Sequence, residues 1–180
     1  MKRSSPKPKT RPVVVTLALI ALLLTLSSQR GYGNSLEDLR PVGSTTLKVL
    51  FWTIYDSTLY SPDGDYSGIE PGLALHLEYR RNIASQRLVN TTRDQWQELG
   101  IYDEQLSEPW LDELSRLWPD IRRGDSVTLV VAPGLAARFY YNGELLGVVD
   151  DGEFTRRFLA IWLDEKSAYP KQRDQLTGAG

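Results

Sequence analysis

The sequence contains no cysteine and only one histidine, His76, in 180 residues. Without cysteine the chain forms no disulfide, has no thiol nucleophile and carries no lipid-modified cysteine anchor. It also has no Gly-x-Ser-x-Gly turn, so the pattern excludes triad hydrolysis. A lone histidine without an acidic cluster at ligand spacing predicts no metal site.

Residues 1–33 contain no acidic residue. An uncharged apolar run, residues 13–26, follows five basic residues, and this order is typical of a secretory signal. The run is shorter than the ~20 residues that a membrane span needs. Because the small residues Gly31 and Gly33 precede Asn34, we predict that a signal peptide over residues 1–33 is cleaved. The product is then periplasmic or secreted and has no stable membrane span; an uncleaved anchor is the alternative.

Removal of residues 1–33 makes the chain acidic. The remaining part has 15 basic and 23 acidic residues, a net charge of −8. A surface with this balance repels phosphate backbones and anionic lipid. We therefore expect no nucleic-acid partner.

Strands are predicted by β-branched residues and by alternation. Residues 34–44 are a short lead-in, and residues 45–60 are rich in β-branched and aromatic side chains, which predicts two strands or one bent strand. Residues 73–80 alternate between apolar and mostly polar, as in a half-buried strand. Further strands are predicted at 127–131, 138–141 and 144–149, with the hairpin signal Asn142-Gly143 between the last two.

Three helices are predicted, the first with or without a break near Asn90. The second begins at Ser107 as N-cap, with Pro109 in its first turn. Asp150 or Asp151 caps the third. The predicted ranges are 84–99, 107–118 and 150–162.

These elements predict an α+β fold, an antiparallel sheet covered on one face by helices. The domain spans residues 45–176, and residues 177–180 form a short tail.

The order of elements resembles the chalcone isomerase family. The landmarks are the strand ending in Ile54-Tyr55, the segment Trp96-Gln97-Glu98-Leu99-Gly100-Ile101-Tyr102 and the helix from Asp150 to Leu163, with a weaker match at 170–173. This resemblance implies an open-faced β-sandwich, a large antiparallel sheet with a helical layer and a ligand cleft between them.

The resemblance also implies that the catalytic groups of the plant enzymes are missing. Those enzymes cyclise chalcone with an arginine, a tyrosine, a lysine, an asparagine and a hydroxyl residue. The tyrosine position falls at Ala84 and the asparagine position at Thr91. The lysine position falls near Leu75 or Leu77, and residues 43–55 contain no arginine. Because the groups that stabilise the oxyanion are absent, we expect a bacterial, secreted, non-catalytic branch of the family.

Non-catalytic relatives retain the cleft and bind fatty acids, which implies a periplasmic domain that binds a small, largely apolar ligand. Tyr55 and Arg80 are the predicted anchors, and Thr91 is predicted to lie at the cleft. We expect no cofactor, although haem, which some relatives bind, is an alternative.

Two other functions remain open at this point. One is an isomerase or intramolecular lyase of unknown substrate, with a rearranged site drawn from Tyr55, His76, Arg80 and Lys48. In that reading His76 is a general base or an axial ligand, whereas on its strand it is otherwise a partly exposed residue. The other is a non-catalytic envelope interaction protein with an empty cleft.

Overall fold

The computed structural model describes residues 36–180. The predicted signal peptide therefore lies outside the described residues. The strands are β1 Arg40–Val49, β2 Trp52–Ser61, β3 Ala74–Tyr79, β4 Ser126–Val131, β5 Ala137–Tyr141 and β6 Glu144–Val149. The helices are α1 Ser85–Glu98, α2 Glu104–Leu117, α3 Gly152–Leu163 and α4 Pro170–Thr177, and short 3-10 turns occupy Leu36–Asp38 and Pro133–Leu135.

The six strands form one antiparallel sheet in sequence order, β1 to β6. The β5–β6 hairpin turns at Asn142 and Gly143, whose φ angles of 50° and 85° are those of a tight two-residue hairpin turn. Helices α1 and α2 connect β3 to β4, so local hairpins account for most of the sheet. The predicted α+β fold, with an antiparallel sheet and a helical layer, is confirmed.

The two faces of the sheet differ in chemistry. On β3, Leu75 and Leu77 are buried against the helices, whereas His76 and Glu78 on the opposite face are partly exposed. The helices of residues 36–180 pack mainly on the apolar face, because this face offers the continuous hydrophobic surface that a helix stripe needs. We call the two faces the core face and the outer face.

Strand β1 begins at Arg40, earlier than the predicted start at residue 45. Pro41 and Gly43 favour a turn in the sequence, but here they lie in an edge strand next to a bulge. An edge strand tolerates proline because one row of its backbone groups needs no partner in the sheet. The predicted lead-in therefore contains the first half of a strand.

The first two helices differ in detail from the prediction. Helix α1 is continuous, because Thr92 does not cap a new segment and instead donates its hydroxyl to the Leu88 carbonyl oxygen at 3.0 Å. Helix α2 begins at Glu104 and its N-cap is Asp103, whose carboxylate accepts from the Leu106 N–H. The prediction that Ser107 is the N-cap is wrong; its hydroxyl accepts from the Asp103 N–H inside the first turns.

Asp151 caps α3 by accepting from two backbone N–H groups, so of the two predicted caps, Asp150 and Asp151, the second is confirmed.

Helix α4 was not among the predicted helices. It lies against β1 so closely that a side chain on Gly43 would meet the Gln175 carbonyl oxygen, and its Leu176 is fully buried in the core. Glycine at position 43 thus permits a fourth helix to cover the first edge of the sheet.

Aromatic rings fill the core between the sheet and α3. Phe139 on β5 contacts Phe154 and Phe158 of α3 and Trp118 after α2, with ring centroids 5.4 to 6.2 Å apart. Such edge-to-face pairs add to the hydrophobic burial of each ring. Within residues 36–180, no helix combines the length and apolarity needed to cross a membrane.

Candidate functional site

A cavity of about 580 Å³ lies between the core face of the sheet and helices α1, α3 and α4. Its inner wall is aliphatic and aromatic, with Leu75, Leu77 and Leu129 from the sheet and Phe158 and Ile161 from α3. This volume is within the range of about 300–1,000 Å³ typical of small-molecule sites, which are also mostly apolar.

The cavity opens at one end, where its lining residues are exposed. The exposed part of the wall consists of Val49, Leu50, Trp52, Arg81, Asn82, Ala84, Arg87 and Thr91. These residues come from the β1–β2 turn, the segment after β3 and the first turns of α1. We call this opening the mouth of the cavity.

Tyr55 supplies a hydrogen-bond donor in the wall. Its hydroxyl oxygen accepts from the Trp162 indole N–H at 2.9 Å, and its own O–H donates to no group within residues 36–180. Burial raises the pKa of Tyr55 above its ordinary value of 10.0. The phenol is therefore neutral at physiological pH, and its O–H is available to an acceptor on a ligand.

The charged residues of the wall are all basic. Arg81, Arg87 and Arg173 line the cavity, and no acidic residue of the described part of the chain does. Arg173 is paired with Asp174 at 3.0 Å, while the Arg81 guanidinium lies 4.3 Å from the centre of the Trp52 ring. A domain rich in acidic residues thus has a positively charged cavity wall.

The three predicted site residues do not lie together. Tyr55 and Thr91 line the cavity, but Arg80 is outside it. The Arg80 guanidinium forms ion pairs with Asp56 at 2.5 Å and with Glu78 at 2.6 Å. Its neighbour Arg81 is one of the three arginines that line the cavity.

The residues of the alternative enzyme site are also separated. Only Tyr55 lines the cavity, whereas His76 lies on the outer face, with its Nδ1 2.8 Å from the Thr128 hydroxyl. Lys48 lines a shallow polar depression on the outer face with Asp56. Partial burial lowers the pKa of His76. No group of three or more His, Asp or Glu residues that could hold a metal ion occurs in the described part.

The sequence profile of the chalcone isomerase-like family matches residues 34–178, which is most of the chain. The chain belongs to the chalcone isomerase-like family. No curated protein matches it in sequence.

Among solved structures, the crystal structure of the Arabidopsis thaliana fatty-acid binding protein AtFAP1 is similar, with a TM-score of 0.60 and 14% sequence identity. The similarity covers 79% of this chain and 88% of that chain. At this identity the match shows that the two proteins share a fold.

Three of the positions that the resemblance aligned with catalytic residues of the plant enzymes line the cavity. Ala84 and Thr91 are at the mouth, and Leu75 and Leu77 are on the sheet wall. They present a methyl group, a hydroxyl group and two isobutyl groups to the space where the family has its cleft. The cavity is therefore in the place that the resemblance implies, and among these four side chains the Thr91 hydroxyl is the one hydrogen-bond donor.

Sequence reasoning missed three parts of the site. Trp162 falls on the apolar stripe of the last helix, a pattern that predicts a core residue, yet its indole N–H also donates to the Tyr55 hydroxyl oxygen. Gln172 and Arg173 belong to α4, which Pro170 at the first helical position and the weaker family match at 170–173 did not suffice to predict as a helix. The sequence predicts two strands or one bent strand over residues 45–60, but not the place of the turn at Leu50 or its exposure.

Proposed function

We propose that this chain binds a small, largely apolar ligand with an anionic head group, such as a fatty acid, in the cavity between sheet and helices. The observation that carries the proposal is an apolar cavity of about 580 Å³ whose only charged lining residues in the described part are arginines. An alkyl chain fits the leucine and phenylalanine walls, and a carboxylate is attracted by the arginines. AtFAP1, which has a similar fold, is named as a fatty-acid binding protein.

The Tyr55 O–H is the proposed hydrogen-bond donor to the head group. Burial keeps it protonated, so it donates a hydrogen bond and does not act as a base. We propose that Arg81, and not the predicted Arg80, binds the anionic head group, because Arg81 lines the mouth.

We do not propose chalcone cyclisation as an activity of this chain. The side chains at Ala84, Leu75 and Leu77 cannot donate a hydrogen bond to a developing oxyanion, and His76 and Lys48 are on the outer face. The chain is thus proposed to be a non-catalytic binding member of its family.

We further propose that binding takes place in the periplasm or outside the cell. The support comes from the order of a basic segment, an apolar run at residues 13–26 and small residues before Asn34. Detection of a mature N-terminus at Asn34 in protein recovered from a bacterial periplasm would support this, and a full-length product in the cytoplasm would contradict it.

Native mass spectrometry of protein purified without detergent is the first test of binding. We expect a retained ligand mass that is released on denaturation, and we expect purified apo protein to bind palmitic acid more tightly than hexadecanol, which lacks the carboxylate.

The Tyr55→Phe variant should bind palmitic acid about tenfold more weakly. A hydrogen bond to a charged group contributes about 1.5–3 kcal/mol, and the lower end of this range corresponds to about a tenfold change in affinity. Tyr60→Phe is the matched control, since Tyr60 is on β2 but does not line the cavity. If wild type, Tyr55→Phe and Tyr60→Phe all bound palmitic acid and hexadecanol with the same affinity, the proposed head-group contact would be contradicted. No binding of either ligand would contradict the function itself.

A further inference from the structure

The turn between β1 and β2 exposes four consecutive apolar residues. The exposed fractions are 44% for Val49, 86% for Leu50, 97% for Phe51 and 59% for Trp52. We call residues 49–52 the hairpin tip. Single exposed apolar residues are common on protein surfaces, but a contiguous apolar patch marks a contact with a partner or with lipid.

The hairpin tip is continuous with the cavity. Val49, Leu50 and Trp52 line the mouth, while Phe51 at the end of the turn is the most exposed of the four. Whatever covers the tip therefore also covers the entrance to the cavity.

Basic residues flank the tip. Lys48 precedes it on β1, and the Arg81 guanidinium lies over the Trp52 ring at 4.3 Å. No acidic residue occurs in the segment 48–55. Tryptophan next to cationic side chains is typical of residues at the interface between lipid acyl chains and head groups.

The size of the tip favours a bilayer over a protein partner. A stable protein interface buries about 800 Å² per partner and needs a matched surface. Four residues around one turn supply only part of that area, whereas a lipid surface accepts an apolar protrusion of any shape. We propose that the hairpin tip inserts into a lipid bilayer and places the mouth of the cavity at the membrane surface.

The overall charge of the domain determines which bilayers suit this contact. The net charge of −8 over residues 34–180 opposes approach to an anionic surface. At about 0.1 M salt this repulsion is screened beyond roughly 10 Å, while Lys48 and Arg81 act at contact distance. Insertion is therefore driven by apolar burial and occurs with zwitterionic phosphatidylcholine.

A single-cysteine label tests the insertion directly. Since the chain has no cysteine, Phe51→Cys in the full chain carries one environment-sensitive nitrobenzoxadiazole label at the tip. Leu145→Cys is the matched control, an apolar residue 59% exposed on the far edge strand β6. Because the readout is local, it distinguishes the tip from residues 13–26, which are present in both labelled proteins.

With phosphatidylcholine vesicles we expect a blue-shifted emission at position 51 that spin-labelled lipids quench, and no change at position 145. An unchanged emission at position 51 would overturn the proposal. A blue shift that needs no vesicles and grows with protein concentration would also overturn it, since a second copy would then cover the tip.

A second variant distinguishes bilayer insertion from ligand binding. Insertion itself does not require the proposed function, but the idea that ligand enters the mouth from the membrane rests on it. Phe51→Asp changes an almost fully exposed side chain and leaves the cavity wall intact. We expect normal affinity for palmitic acid in solution but uptake from vesicles slowed about tenfold or more, because a buried phenylalanine side chain is lost from the bilayer contact. Uptake by Phe51→Asp at the wild-type rate would overturn the proposed membrane contact. If wild-type protein did not bind palmitic acid in solution, the proposed binding function would be contradicted, and the label at position 51 would still test insertion.

Discussion

At the scale of single residues, two buried tryptophans differ in what their indole N–H groups do. Trp96 is fully buried, and its N–H donates to the Arg157 carbonyl oxygen at 2.9 Å. Trp118 is 8% exposed, and its N–H has no acceptor within residues 36–180. A buried donor without a partner costs about 1–3 kcal/mol.

We therefore expect Trp118→Phe to destabilise the fold less than Trp96→Phe, by about 1 kcal/mol or more. Both changes remove similar ring volume, but only Trp96→Phe breaks a hydrogen bond, whereas Trp118→Phe removes an unpaired donor. Urea unfolding of both variants measures the difference. Equal losses, or a greater loss for Trp118→Phe, would contradict this expectation and show that the Trp118 indole contributes more than an unpaired donor can.

The same scale shows where sequence patterns reach their limit. Alternation along a strand predicts that Arg80 and Arg81 differ in environment, and they do. It cannot say which one reaches the ligand cavity, because Tyr79 is the last residue of β3 and the chain leaves the sheet there. The ion pairs of Arg80 with Asp56 and Glu78 depend on strand register, which a single sequence does not specify.

At the scale of elements, α1 and α2 are joined by one charged cluster. Glu108 on α2 accepts from Arg93 of α1 through both carboxylate oxygens, at 2.9 and 2.8 Å, and from the Tyr102 hydroxyl at 2.6 Å. The hydrogen bonds from Arg93, followed by the one from Tyr102, lower the pKa of Glu108 from 4.5 to about 2.

This cluster predicts a dependence of stability on pH. Since the folded pKa of Glu108 is below its ordinary value, the unfolded chain binds the proton more readily, and this contribution is lost as the pH falls from about 5 to about 2. We expect Glu108→Gln to flatten part of the fall in unfolding free energy over this range. The effect should not exceed about 1 kcal/mol, because the pair is roughly one-third exposed to solvent.

Thermal unfolding at several pH values between 2 and 7 checks this expectation. Glu113→Gln on the same helix is the control, since Glu113 makes no hydrogen bond or ion pair within the described residues. The same slope for wild type and Glu108→Gln would mean that other carboxylates dominate the acid sensitivity.

Element boundaries could be predicted only where the local chemistry is unambiguous. Asn142-Gly143 predicts its hairpin because both residues adopt positive φ. Gly100, with φ of 73°, ends α1, and the Trp96 carbonyl oxygen accepts from both Ile101 and Tyr102. The start of α2 was misplaced because Ser107 and Pro109 form a plausible helix start that competes with Asp103.

Helix α4 was hidden for a different reason. It buries only Leu176, so its sequence shows no apolar stripe. Its position depends on the close approach to Gly43, more than 100 residues earlier in the chain. Because this contact joins distant segments of the chain, a local sequence pattern predicts neither the contact nor the part of the cavity wall that α4 contributes.

At the scale of the whole molecule, the two sides of the helical layer are held unequally. Helix α3 buries six residues and joins the aromatic core, whereas α4 buries one and borders the cavity with Gln172, Arg173 and Leu176. Regions with few buried apolar contacts open locally at low free energy, while well-packed elements exchange their amide hydrogens only on global unfolding.

We therefore expect the amides of α4 to exchange with deuterium well before those of α3 in the ligand-free protein. Bound palmitic acid should slow exchange in α4 and α1, whose residues border the cavity, because local opening of either helix would remove contacts to the ligand. Exchange in α3 should slow as well, because ligand binding raises the free energy of global unfolding. Peptide-resolved hydrogen exchange, with and without palmitic acid, measures both effects, and Tyr55→Phe should show the smaller protection that weaker binding gives. Equal exchange in α3 and α4 without ligand would contradict the unequal packing, whereas unchanged exchange in α1 and α4 with palmitic acid bound would contradict the proposed position of the ligand. The expected pattern would mean that the weakly held side of the fold is the side that a ligand completes.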